Sequence, residues 1–163
     1  PGGEELAKTE WDEELLHYLP YIKDDDFIGL QNYTRKILGP NGSVKTDPDA
    51  EMTAMGYEFY PQALENIIRS VYRDTKLPIF ITENGISTKD DNQRVRFIEI
   101  ALKGVDACVS DGIPIIGYAH WSLLDNFEWM LGYAQTFGLI AVDRKTQKRY
   151  PKPSLEVLGS YNK

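Results

Sequence analysis

The sequence predicts an α/β fold built on a parallel sheet. Three observations carry this: strand-like apolar runs alternate with amphipathic helical stretches, the run at 113–121 is apolar on both faces apart from His120, and Pro78 and Asp111-Gly112 separate successive units. The units differ in length and show no internal repeat, which argues against tandem domains. The expectation is one domain over residues 1–163.

The elements follow in order. Residues 10–19 carry a weak helical pattern (Trp11, Leu15, Leu16, Leu19) that Pro20 is expected to end, and Asp24–Asp26 forms a charged turn into a strand from Phe27 to Tyr33. An irregular stretch over about 34–59 holds Gly39-Pro40-Asn41-Gly42 and Asp47-Pro48; a loop of that length in a compact unit is functional or mobile. Pro61 suits a first helical turn, and Leu64, Ile67, Ile68, Val71 and Tyr72 recur at i, i+3, i+4, i+7 and i+8. A strand follows over Ile79–Thr82. Asp90 or Asp91 caps the next helix, whose stripe is Ile98, Ala101, Leu102, Val105, Cys108 and Val109. The third strand runs from Ile113 to Trp121. Beyond the polar and aromatic stretch 122–136 come a shorter strand, Phe137–Val142, a basic turn, Asp143–Arg149, and a closing helix, Pro153–Tyr161.

Composition narrows the function classes. The 163 residues are 42% hydrophobic and 26% charged, enough for one domain but short of a complete (β/α)₈ barrel, which needs roughly 250 residues. Eighteen Lys and Arg against 25 Asp and Glu give a net charge of −7 with no basic run, so neither nucleic acid nor membrane is an expected partner; a neutral or cationic small molecule is. Cys108, the one cysteine, forms no internal disulfide and belongs in the core. His17 and His120 lie far apart and form no ligand pair, so no metal and no cofactor is expected; His120 is assigned a structural place in its strand. The Pro-Gly-Gly start points to a processed or cut chain. The lone cysteine and the want of a secretory pattern give a cytoplasmic expectation.

Two stretches carry chemistry. Residues 79–85 read Ile-Phe-Ile-Thr-Glu-Asn-Gly, an apolar strand closing on Glu83. Glutamate is a poor strand former that is rarely buried unpaired, so Glu83 is either a surface residue opening a polar turn or a reactive carboxylate at the sheet rim, where α/β folds do their chemistry. Asn84 is assigned to the turn. The second stretch, Trp121-Ser-Leu-Leu-Asp-Asn-Phe-Glu-Trp129, packs two tryptophans, Asp125, Asn126 and Glu128 into nine residues. Indoles pack against the C–H faces of a pyranose while carboxylates and amides bind its hydroxyls, so a sugar subsite fits; core tryptophans and helix-end acids are the alternative.

ITENG at 81–85, WSLLDNFEW at 121–129 and the following Phe137-Gly138, in that order and spacing, resemble the C-terminal part of family 1 glycoside hydrolases, the β-glucosidase family of (β/α)₈ barrels. DFIGLQNYTR at 26–35 is similar to that family's sixth strand and MGYEFYPQAL at 55–64 to the lead-in to its sixth helix. The resemblance covers about Phe27 to Pro153. It implies a TIM-barrel segment, about strands six to eight with their helices, and a retaining β-glycosidase. By the same resemblance Glu83 matches the nucleophile that forms a covalent glycosyl-enzyme, and Tyr33 the tyrosine that hydrogen-bonds it. Trp121 matches the platform under the sugar, Glu128 the acceptor for O4 and O6, Trp129 the indole donor near O3, and Phe137 an aromatic wall. An acid in the place of Glu128 favours, by this resemblance, unphosphorylated glucosides, with galactosides and fucosides as near alternatives, because a carboxylate repels a sugar phosphate.

Two departures stand out. Gln31 and Asn32 replace the Asn and Tyr often found before the matched tyrosine. The second carboxyl group of a retaining glycosidase belongs, in this family, to an Asn-Glu-Pro motif, and that tripeptide does not occur in the 163 residues. The resemblance therefore implies a partial barrel whose expected partners are a β-glucoside and either the N-terminal half of the same barrel or a second copy. A non-catalytic carbohydrate-binding module and a structural half-barrel remain as alternatives.

Overall fold

A computed structural model describes residues 2–161. Helix α1 (Glu4–Glu14) is followed by a 3₁₀ turn (Leu16–Tyr18) and a single-turn α2 (Leu19–Ile22). Pro20 thus begins a helix rather than ending one, because a first-turn N–H has no intrahelical acceptor and its loss costs nothing there. Strand β1 (Ile28–Gln31) is shorter than its apolar run, and the long loop behind it holds a small hairpin of β2 (Leu38–Gly39) and β3 (Gly42–Ser43).

Helix α3 (Ala63–Thr75) buries Leu64, Ile68 and Val71, the face its spacing predicts. Strand β4 (Ile79–Asn84) extends two residues past the expected Thr82. Helix α4 (Asp91–Ser110) is capped by Asp90, whose carboxylate accepts the Asn92 N–H at 3.0 Å. Its buried stripe includes Cys108 but not Val109, which is 50% exposed. Strand β5 (Ile115–His120) completes a three-stranded parallel sheet in the order β1-β4-β5.

The expected strand over 137–142 is corrected. Only Ile140–Val142 (β6) is a strand, and it pairs antiparallel with β7 (Arg149–Pro151) outside the parallel sheet. The Asp143 carboxylate accepts the N–H groups of Lys145 and Thr146, both at 2.8 Å, and this turn sends the chain straight back. Helix α5 (Pro153–Gly159) closes the chain against α4.

One face of the sheet meets the helices. Ile79 and Ile81 are fully buried there with Leu64, Ile68, Phe97 and Ile98, each contributing about 1.5–3 kcal/mol of apolar burial. The opposite face has little cover: the Phe80 ring lies over Gly117, Thr82 over Gly29, and Ile116 is 58% exposed. Among the described residues, β1 and β5 are each paired along one edge only.

Candidate active site

Because β1, β4 and β5 run parallel, their C-terminal ends share one rim. Tyr33 follows the end of β1, Glu83 is the penultimate residue of β4 and Trp121 follows β5. Those three, with Glu128, Trp129 and Phe137, line a single concavity of about 240 Å³, so all six residues singled out in the sequence come together. Met55 and Tyr57, from the long loop, complete the wall. Sequence reasoning missed both, although they lie in the MGYEFY stretch and in a loop long enough to suggest function. A larger cleft of about 530 Å³, between α1 and α3, holds Glu10, Trp11, Arg35 and Tyr60 but none of the six.

Glu83 reaches the concavity through an irregular ladder. Strict alternation from Ile79 and Ile81 would turn Glu83 toward the helices. The pairing of β4 with β5 slips between Ile81 and Asn84, and that of β1 with β4 slips at Leu30/Gln31. Glu83 consequently lines the opening while Asn84 is fully buried, a re-aiming that bulges beside functional sites commonly perform. Asn84 therefore ends a strand, where the sequence reading placed it in a turn.

The Tyr33 hydroxyl donates to Glu83 Oε2. Burial, and then this hydrogen bond and the Glu83 charge, raise the Tyr33 phenol far above its ordinary range, so it stays a donor. Its ring meets Phe137 edge to face at 6.1 Å. Behind it Gly85 sits so close to the Trp121 carbonyl that a side chain there would collide with it.

The 121–129 stretch is held without a helix. Ser122 to Asp125 pair with residues 137–140, through Leu139 N–H to Ser122 O at 2.9 Å and Asp125 N–H to Ile140 O at 3.0 Å. Asp125 is buried, accepting the Gly138 N–H at 2.8 Å and Lys152 Nζ at 3.1 Å, so this acid fastens the loop and does not face the concavity. Asn126 likewise turns to Ser122 Oγ at 3.2 Å. Beyond this anchor a tight turn, with Glu128 and Gly132 exchanging backbone hydrogen bonds at 2.7 Å, presents Glu128 and Trp129. Trp129 is 85% exposed and is no core residue. The cluster thus sets a carboxylate with a phenolic donor beside two indoles, a phenyl wall and a second carboxylate, which suits a small polyhydroxylated ligand.

Among the described residues no group of three or more His, Cys, Asp or Glu is placed to hold a metal ion, and no helix is long and apolar enough to cross a membrane.

Residues 17–162 match the family model for Glycosyl hydrolase family 1. The chain is 35% identical to Beta-glucosidase A of Thermotoga maritima, with 84% of this chain and 36% of that protein covered. To Beta-galactosidase of Pyrococcus woesei it is 31% identical, with 88% and 32% covered. The crystal structure of beta-glycosidase BGL167 superposes with a TM-score of 0.93 at 45% identity, over 99% of this chain and 39% of the other. The beta-glycosidase from Pyrococcus horikoshii gives 0.84 at 31% identity, over 96% and 43%. The chain therefore spans about a third of the length of the curated relatives it matches. Family 1 β-glycosidases are TIM barrels, and the parallel sheet with its flanking helices is an α/β segment of that kind. On its sequence and its fold together, this chain belongs to glycosyl hydrolase family 1.

Proposed function

We propose that this chain supplies the nucleophile and sugar subsite of a retaining β-glycosidase acting on unphosphorylated β-glucosides. The observation that carries the reading is the Tyr33 hydroxyl donating to Glu83 inside a concavity walled by Trp121, Glu128, Trp129 and Phe137. In this reading β1, β4 and β5 are strands six, seven and eight of the barrel. The two unshared sheet edges and the thinly covered face support that placement, since earlier strands would pair with and cover them.

The chemistry follows from the groups present. Glu83 attacks the anomeric carbon and the glycosidic bond breaks; the leaving oxygen takes a proton from a carboxylic acid on the preceding barrel half. Water then attacks the same carbon, that carboxylate removes its proton, and Glu83 leaves as the free carboxylate, so configuration is retained after two inversions. Tyr33 keeps the attacking oxygen aimed. Trp121 supports the sugar ring, Trp129 and Glu128 bind hydroxyls, and the Glu128 charge disfavours a 6-phosphate.

An aryl β-glucoside assay of this chain, alone and complemented by the N-terminal barrel half, tests the reading. Turnover is expected only in the complemented protein and is lost in its Glu83→Gln form; full activity of that variant would refute the assignment. A saturable tryptophan-fluorescence response to glucose with no turnover in either arm would instead indicate a carbohydrate-binding half-barrel.

A further inference from the structure

We propose that Asn84 is a positioning residue: its buried carboxamide, itself held by Tyr118, sets Tyr33, Glu83 and Trp121 in register with one another. The proposal rests on the reading of Glu83 as nucleophile.

At Asn84 all three strand ends meet through hydrogen bonds. Its Nδ2 donates to the Asn32 carbonyl at 2.7 Å, and the Asn32 N–H donates to the Glu83 carbonyl at 3.1 Å. The backbone before Tyr33 is thereby closed onto the backbone of Glu83 and Asn84. On the other side, the Asn84 carbonyl accepts the Trp121 N–H at 2.9 Å, and Asn84 Oδ1 accepts the Tyr118 hydroxyl at 2.9 Å. The carboxamide thus bridges β1 to β5 across β4 while its main chain holds Trp121. Asn84 is fully buried, so neither half of its amide has water as a substitute.

The direction of this chain of bonds is fixed by elimination. Asn84 Nδ2 must face a carbonyl, so its oxygen faces Tyr118, and the single phenolic proton goes there. Tyr118 lies 3.3 Å from His120 Nδ1, which can then only donate, placing the imidazole proton on Nδ1. Burial, with the Arg94 charge beside it, pushes the His120 imidazole down to about 3, so the neutral tautomer persists through neutral pH. Burial likewise raises the Tyr118 phenol well above its ordinary range, keeping it a donor. One orientation of the carboxamide is therefore stable, and with it one separation of the strand ends.

Loss of that register should cost turnover more than binding, since misplacement by about 1 Å costs on the order of 100-fold in reactions that depend on alignment. The test is steady-state kinetics of the complemented protein on an aryl β-glucoside, below the melting temperature of each variant. Tyr118→Phe keeps the ring and its packing, and is expected to lower kcat about 10-fold with little change in KM. Asn84→Leu is expected to lower kcat about 100-fold, and the double variant no further, because Tyr118 acts through Asn84. An unchanged kcat in Tyr118→Phe overturns the proposal even if Asn84→Leu does not fold, as do multiplicative losses in the double variant or a lowered melting temperature with normal kcat. No turnover by the unsubstituted complemented protein overturns the nucleophile reading and this proposal together; normal turnover with inert variants overturns this proposal alone.

Discussion

The Tyr33 hydroxyl, just past the end of the neighbouring parallel strand, donates to the Glu83 carboxylate, joining residues 50 positions apart at one rim of the sheet. Removing that donor leaves a carboxylate with one fewer partner in a half-buried site. Tyr33→Phe in the complemented protein is expected to lower kcat/KM about 10- to 100-fold, the worth of about 1.5–3 kcal/mol for a hydrogen bond to a charged group. The ring contact with Phe137 survives the change, so melting temperature should move little. Michaelis–Menten kinetics with a parallel thermal melt checks both.

Glu128 places a carboxylate at the wall of the concavity that Glu83 also lines. Glu128→Gln removes the charge and keeps the shape. Its expected effect is a roughly tenfold rise in KM for an aryl β-glucoside and a roughly tenfold smaller bias against the 6-phosphorylated analogue, from relief of like-charge repulsion. Competition between the two substrates measures the ratio directly.

His120 gives a pH dependence of stability. Its folded pKa, about 3, lies below the ordinary histidine value, so between the two the unfolded chain binds a proton that the folded chain does not. Stability is therefore full above about pH 6.5 and falls as pH drops toward 3, by at most about 1.4 kcal/mol per pH unit from this group. Thermal melts from pH 7 to 4 should show a steeper decline in the parent than in His120→Asn, whose side chain does not titrate.

Much of this was legible in the sequence, and the misses have physical causes. Leu64, Ile68 and Val71 announced α3 because a strongly amphipathic helix has one buried face, and Asp90 or Asp91 announced by residue type the cap of α4, which Asp90 supplies. Of the six residues lining the concavity, Glu83, Trp121, Glu128 and Trp129 stood in the two long motifs and Tyr33 and Phe137 in the shorter matches beside them, and the three strand ends brought them together. Pro20 was misread because proline at a first helical turn and proline at a helix end look alike in one dimension. The strand over Phe137–Val142 was read too long because an apolar run does not mark where pairing begins, and the hairpin that Asp143 closes pairs Ile140–Val142 alone. Asn84 was put in a turn because Asn-Gly is a turn signal; the ladder slip that buries it depends on β1 and β5, which no local pattern encodes. Asp125 looked like a sugar ligand until its partners Gly138 and Lys152, distant in sequence, came into place.

The single-sided pairing of β1 and β5 makes association a prediction of its own. Among the described residues each is paired along one edge only, and Ile116 and Phe27 are exposed on or beside the sheet. Size exclusion with mass analysis should find this chain self-associated alone and in a one-to-one complex when the N-terminal half is supplied. A cooperative, well-behaved monomer would sink that expectation.

Covalent trapping tests the role of Glu83 most directly. A 2-deoxy-2-fluoro-β-glucoside with a dinitrophenolate leaving group needs no acid to depart, while the fluorine slows hydrolysis of the ester that follows, so the glycosyl-enzyme accumulates. Mass spectrometry of peptides from the complemented protein should find one added fluoroglucosyl group, on the peptide containing Glu83 and on that side chain. A label on Glu128 or any other residue, or turnover of the aryl glucoside with no label on Glu83, would contradict it.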